Sequence, residues 1–145
     1  MGLFDSLRSA GAPTFDAQSS IMTIVLAAMK ADGSIDDEEV VRLRTMCARS
    51  PIFAANSRER DDEIIAFADK VTEQFGVASI EMAVKNLKQE LRETGFAFAC
   101  EMVLADGMVS DAEERYLTNL ATSLGIPNAT LSALVLATIV RNRGL

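Results

Sequence analysis

The chain has 145 residues, of which 49% are hydrophobic and 24% charged, enough for one buried core and too apolar for a disordered segment. A net charge of −7 and a pI near 4.6 argue against the clustered Lys and Arg that phosphate backbones require, so nucleic acid is not an expected partner. The absence of histidine removes the commonest general base, the commonest transition-metal ligand and every Ser-His or Cys-His nucleophile pair, and no enzymatic activity is expected.

The N-terminus, MGLFDSLRSAG, lacks the charged start and long apolar stretch of a secretion signal. No apolar run reaches the roughly 18 to 20 residues that a spanning helix needs. The expectation is a cytoplasmic chain without a transmembrane segment. Residues 1–14 read as an N-terminal tail or a short amphipathic turn in which Phe4 and Leu7 fold back on the body. Gly2 and Ser6 satisfy a loose myristoylation pattern, but that pattern is short enough to arise by chance. Residues 15–145 read as one helical domain.

Phe15, Met22, Val25, Leu26 and Met29 recur at helical spacing and place a first helix up to Ala31, where Asp32-Gly33 stops it. A second helix runs from Asp37 to about Arg49 and ends at Ser50-Pro51. After a loop or single turn, Asn56 or Ser57 caps a third helix through Phe75, stopped by Gly76. Ser79 reads as the cap of a fourth helix that uses Ile80, Ala83, Val84, Leu87 and Leu91, with a break at Thr94-Gly95. A fifth helix from Phe96 to Ala105, an Asp106-Gly107 turn, a sixth from Asp111 to Leu124 and a last from about Ala129 to Val140 complete the series. No segment alternates with period two, so the expected fold is all-α, a single bundle of about seven helices. Cys47 and Cys100 lie in apolar helical contexts without CxxC spacing and read as buried free thiols, which weakly favours a reducing compartment.

One unit occurs twice, as ADGSIDDEEVVRL from Ala31 to Leu43 and as ADGMVSDAEERYL from Ala105 to Leu117, each after an apolar helix. The repeat is therefore helix, Asp-Gly turn, helix. Much of it is explained by helix ends. Asp36 with Glu39, and Ser110 with Glu113, have capping-box spacing; Asp37 and Asp111 sit at the first helical position, where negative charge is welcome. Gly33 and Gly107 fall just past a helix end, where a positive φ suits glycine. Asp32 and Asp106 are not favoured by electrostatics there, since a carboxylate in a last turn faces carbonyls at a cost of roughly 0.3 to 1 kcal/mol.

Two accounts of those two residues stand. Each Asp accepts a hydrogen bond from an amide in its turn, as Asx turns do. Alternatively Asp32, Asp36, Asp37 and Glu39, and in the second copy Asp106, Asp111 and Glu113, gather around a hard divalent cation, calcium or magnesium, which oxygen-only ligands select. The EF-hand pattern is absent, so such a site is irregular and completed by water or a partner. The first copy carries more charge, because Ser110 and Ala112 replace Asp36 and Glu38. Glu101, one and a half turns before Asp106, is expected to face solvent rather than a ligand.

At this doubled motif the chain resembles the TerB-like family, the tellurite-resistance TerB proteins and their domain relatives. The resemblance is carried by an apolar helix running into Ala-Asp-Gly-x-[Ile/Val]-x-x-x-Glu-x-x-x-Leu and extends from about Phe15 to the last helix. It implies a compact all-α fold and a cytoplasmic protein linked to tellurite or metal-ion stress. It also implies acids that bind a metal such as calcium, at Asp32, Asp37, Glu39, Asp106, Asp111 and Glu113, and a role as an interaction module in membrane-associated complexes. The leading expectation is a non-enzymatic acidic domain that binds a divalent cation, with no other cofactor. The alternative is a protein-interaction scaffold, self-associating or holding a protein partner, in which the motif acids only cap helices.

Overall fold

No charged residue occurs between Ala17 and Met29, and this is the most deeply buried helix among the described residues. In the computed structural model the described residues are 13–145, apart from the side chain of Asp32. The N-terminal tail, with Gly2, Phe4, Ser6 and Leu7, lies outside them. Seven α-helices and one 3-10 turn are formed among the described residues, with no strand.

Helix α1 (Ala17–Met29) starts at Asp16, whose Oδ1 accepts the Ser19 amide at 2.8 Å while Ser19 Oγ accepts the Asp16 amide at 2.9 Å. Ile21, Met22, Ile24 and Val25 are each 0% exposed, so α1 is buried around its whole circumference rather than along one stripe. A 3-10 turn, Lys30–Asp32, ends it at Gly33. There follow α2 (Asp37–Arg49), α3 (Arg58–Phe75), α4 (Ala78–Val84), α5 (Gln89–Val103), α6 (Asp111–Ser123) and α7 (Asn128–Arg141). Helix α1 packs on α3, α4 and α5, and α5 in turn packs on α2, α6 and α7. The bundle thus has two central helices, and they are the ones that lead into the two Asp-Gly turns.

Ser57 is the cap of α3, its Oγ accepting the Arg60 amide at 3.1 Å. Asn56 instead joins Gln18 and Asp61. Lys30 reaches across to Asp69 and Thr72 on α3, and Arg44 of α2 pairs with Asp62. Cys47 and Cys100 are both free and fully buried.

Two expectations are corrected. Ser79 does not cap the fourth helix. It lies buried within the first turn of α4, its Oγ donating to the Gly76 carbonyl at 2.6 Å, and α4 has no side-chain cap. Nor does the chain break at Thr94-Gly95. Helix α5 runs straight through Gly95, and the break comes earlier, between Val84 and Gln89. Arg92 supplies what that break needs: its Nε donates to the Leu87 carbonyl at 2.8 Å and its Nη2 to that of Val84 at 3.1 Å, satisfying acceptors that a helix end leaves open. Gly95 faces α1, where a Cβ placed on it would lie 3.4 Å from Ile24 Cδ1.

Candidate functional site

The two turns differ in backbone conformation. Gly33 has φ 138° and ψ −152°, whereas Gly107 has φ 75°, both in regions that cost an L-residue energy. The first turn is open around its glycine. The second is closed by the end of α7, where the Asn142 carbonyl oxygen would stand 2.6 Å from a Cβ on Gly107.

Both helix starts after the turns are capped reciprocally. Asp36 Oδ1 accepts the Glu39 amide at 2.8 Å, and Glu39 Oε1 accepts the Asp36 amide at 3.2 Å. Ser110 Oγ accepts the Glu113 amide at 3.1 Å, and Glu113 Oε1 accepts the Ser110 amide at 3.0 Å. Asp106 Oδ1 accepts the Met108 amide at 3.1 Å, two residues on, which is the Asx turn. The side chain of Asp32 lies outside the described residues, so the same question for the first copy has no counterpart there. Asp37 and Asp111 occupy the first helical positions and are exposed.

Sequence comparison aligns the two turns, and the fold brings them face to face. A cleft of about 510 Å³ is lined by Asp36 and Glu39 from the first copy and by Asp106 and Glu113 from the second, over a floor that includes Ala28, Met29, Met102 and Val103. The floor residues are equivalent positions of the repeat, as are Ala31 and Ala105, Glu39 and Glu113, and Arg42 and Tyr116, which also line it. Asp37 and Asp111 are not part of this lining.

Arg42 and Tyr116 were not among the residues expected from the sequence. A signal for them was present, since each lies three residues after the repeat's Glu and so on the same helix face. Burial pushes the Tyr116 hydroxyl up from 10.0 to about 12. Glu101 is one-third exposed and pairs with Arg141 at 3.0 Å, pointing away from any ligand role in this cleft.

The donor chemistry here is oxygen only. Each of the four acids commits one oxygen to a backbone amide of its own turn or helix, which leaves its second oxygen turned to other uses. Among the described residues, however, no three acid or thiol groups are grouped closely enough to hold a metal ion directly. The arrangement falls short of a tight calcium cage, which needs six to eight converging oxygens. No described helix is long and apolar enough to cross a membrane.

A family model described as tellurite resistance protein TerB matches residues 18–135 of the chain. No match was found among curated proteins or among solved structures.

Proposed function

Because the chain belongs to the tellurite resistance protein TerB family, we propose that it serves as a non-enzymatic acidic domain in a tellurite or metal-ion stress response, holding a hydrated divalent cation between its two Asp-Gly turns. The observation that carries this is the single cleft lined by Asp36, Glu39, Asp106 and Glu113. Four carboxylates drawn from both copies of the unit favour one shared ion over one ion per turn. Asp32 stands beside this set in the sequence, and Asp37 and Asp111 add negative potential from outside the lining. Magnesium keeps several of its waters and takes one or two carboxylates directly, which suits acids already engaged as caps. Binding of this kind is weak, with half-saturation on the order of a millimolar.

Thermal unfolding in added magnesium or calcium is the test. At about ten times the dissociation constant, mass action adds about 1.4 kcal/mol, a rise of about 3 to 5 °C in Tm for a domain of this size. The double variant Glu39→Gln, Glu113→Gln separates the ion from the cap. Gln still reaches back to the N-cap amide but carries no charge, so the variant is expected to fold and to lose the shift. Equal shifts from sodium chloride at matched ionic strength, or from the double variant, would remove the cation from this reading.

A second reading, the interaction scaffold, is favoured by α7. No charged residue occurs from Asn128 to Val140, yet only Thr138 of this helix is buried, and Leu136 and Val140 are 59% and 50% exposed.

A further inference from the structure

Beside the acidic cleft lies a second one, of about 490 Å³, between α2, α5 and the end of α7. Its chemistry is opposite. Arg42 and Arg49 enter it from α2 and Arg141 from α7, and its one acid is Glu101, already in contact with Arg141 at 3.0 Å. Within this lining three guanidiniums stand against one carboxylate, a local excess of positive charge in a chain whose net charge is −7, with Arg42 at the border shared with the acidic cleft. Helix ends explain part of this. Arg49 and Arg141 each stand in the last turn of a helix, where a cation complements the dipole. That accounts for each residue singly, but not for two helices delivering both to one cleft together with Arg42.

The remaining lining sets apolar Met46, Pro51, Phe98 and Met102 beside the polar Thr45, Ser50 and Asn142, and the volume falls within the range of small-molecule sites, roughly 300 to 1,000 Å³. Charge and walls together define the ligand. A guanidinium fork matches carboxylate or phosphate oxygens in pairs, and the excess left after Glu101 is that of a dianion. A phosphate monoester carries about −1.5 to −2 at neutral pH; a single carboxylate carries half of it. We propose that the Arg42, Arg49 and Arg141 cleft binds a small organic phosphate monoester, its head held by the guanidiniums and its apolar body laid against Phe98 and Met46. This site adjoins the acidic cleft along a wall of Arg42, Met102 and Ala105, which line both, and does not depend on a cation there.

Phenyl phosphate is a suitable probe, titrated into the whole chain while the backbone amide resonances are followed. Saturable shifts are expected at Thr45, Met46 and Phe98 at up to millimolar probe. The double variant Arg42→Gln, Arg49→Gln alters only exposed side chains, and its spectrum should keep the wild-type dispersion while its affinity falls by at least about tenfold. Phe98→Leu should weaken phenyl phosphate and leave inorganic phosphate unchanged. Absence of saturable shifts at millimolar probe, equal affinity in the Arg double variant, or equal binding of neutral phenol would each overturn the proposal.

Discussion

Cys47 on α2 and Cys100 on α5 are fully buried, and burial is the first cause that pushes each thiol from 9.0 up to about 12; at Cys47 the Asp61 carboxylate adds to it. In the unfolded chain these thiols ionise near their ordinary value, so the fold favours the protonated form. Their contribution to stability is complete below about pH 9 and is lost progressively as pH climbs toward 12. Tyr116 acts in the same direction from its ordinary 10.0. The urea midpoint is therefore expected to fall between pH 8 and pH 11, and to fall less steeply in the double variant Cys47→Ala, Cys100→Ala; a flat wild-type profile over that range would show that the thiols do not govern alkaline stability. Both cysteines were readable as buried thiols because their neighbours are apolar. The fate of Asp106 was not readable to the same degree, since an Asx turn and a metal ligand ask for the same residue at the same place; the 3.1 Å bond to the Met108 amide establishes the turn and engages only one of the two carboxylate oxygens.

Gly95 illustrates where element boundaries escape the sequence. Thr94-Gly95 looks like a helix stop by local preference, yet the residue sits in the middle of α5, facing α1, with Ile24 Cδ1 3.4 Å from where a Cβ would be. Burial of the neighbouring Phe96, Ala99 and Cys100, each 0% exposed, outweighs a propensity cost of about 1 kcal/mol. Conversely, the true break from Lys85 to Lys88 carries no glycine or proline, and it is held by Arg92, five and eight residues away from the carbonyls it serves. The 3.4 Å distance is ordinary van der Waals contact, so Gly95→Ala is expected to keep the packing and recover helix propensity, stabilising the protein by about 0.5 to 1 kcal/mol in chemical denaturation. Gly95→Leu is expected to cost about 1 to 3 kcal/mol by forcing α1 and α5 apart. If the alanine variant is the less stable of wild type and variant, Ile24 has no room to adjust and the two central helices are packed more tightly than these contacts imply. The caps at Asp36 and Ser110, by contrast, were legible from spacing alone, because a capping box is a local device that needs no partner from elsewhere in the chain.

At the scale of the whole molecule the repeat acquires a meaning that neither copy has alone. Equivalent residues of the two units converge on one cleft, and this follows from α1 and α5 packing against each other, a pairing that no local pattern specifies. The same architecture leaves α7 at the periphery, packed on α5 with its outward side uncovered among the described residues. Leu136 and Val140 are one turn apart on that side, Ala133 and Ala137 keep it flat, and an apolar groove of about 360 Å³ runs alongside between α6 and α7, lined by Val109, Leu117, Val135 and Ile139 among others. A charge-free helix face of this kind is what a second copy of the chain could bury against its own equivalent, since a flat apolar stripe is self-complementary about a two-fold axis. Contiguous exposed apolar surface of this sort marks contact sites more often than plain solvent boundary. Sedimentation across a range of concentrations is expected to show reversible dimerisation that is insensitive to chelator, and Leu136→Lys, which alters a side chain already exposed to solvent, is expected to hold the chain as a monomer without lowering its Tm. A wild-type chain that stays monomeric at high micromolar concentration, or a dimer that persists in the lysine variant, would place any association surface elsewhere and leave the acidic cleft as the stronger candidate for this domain's role.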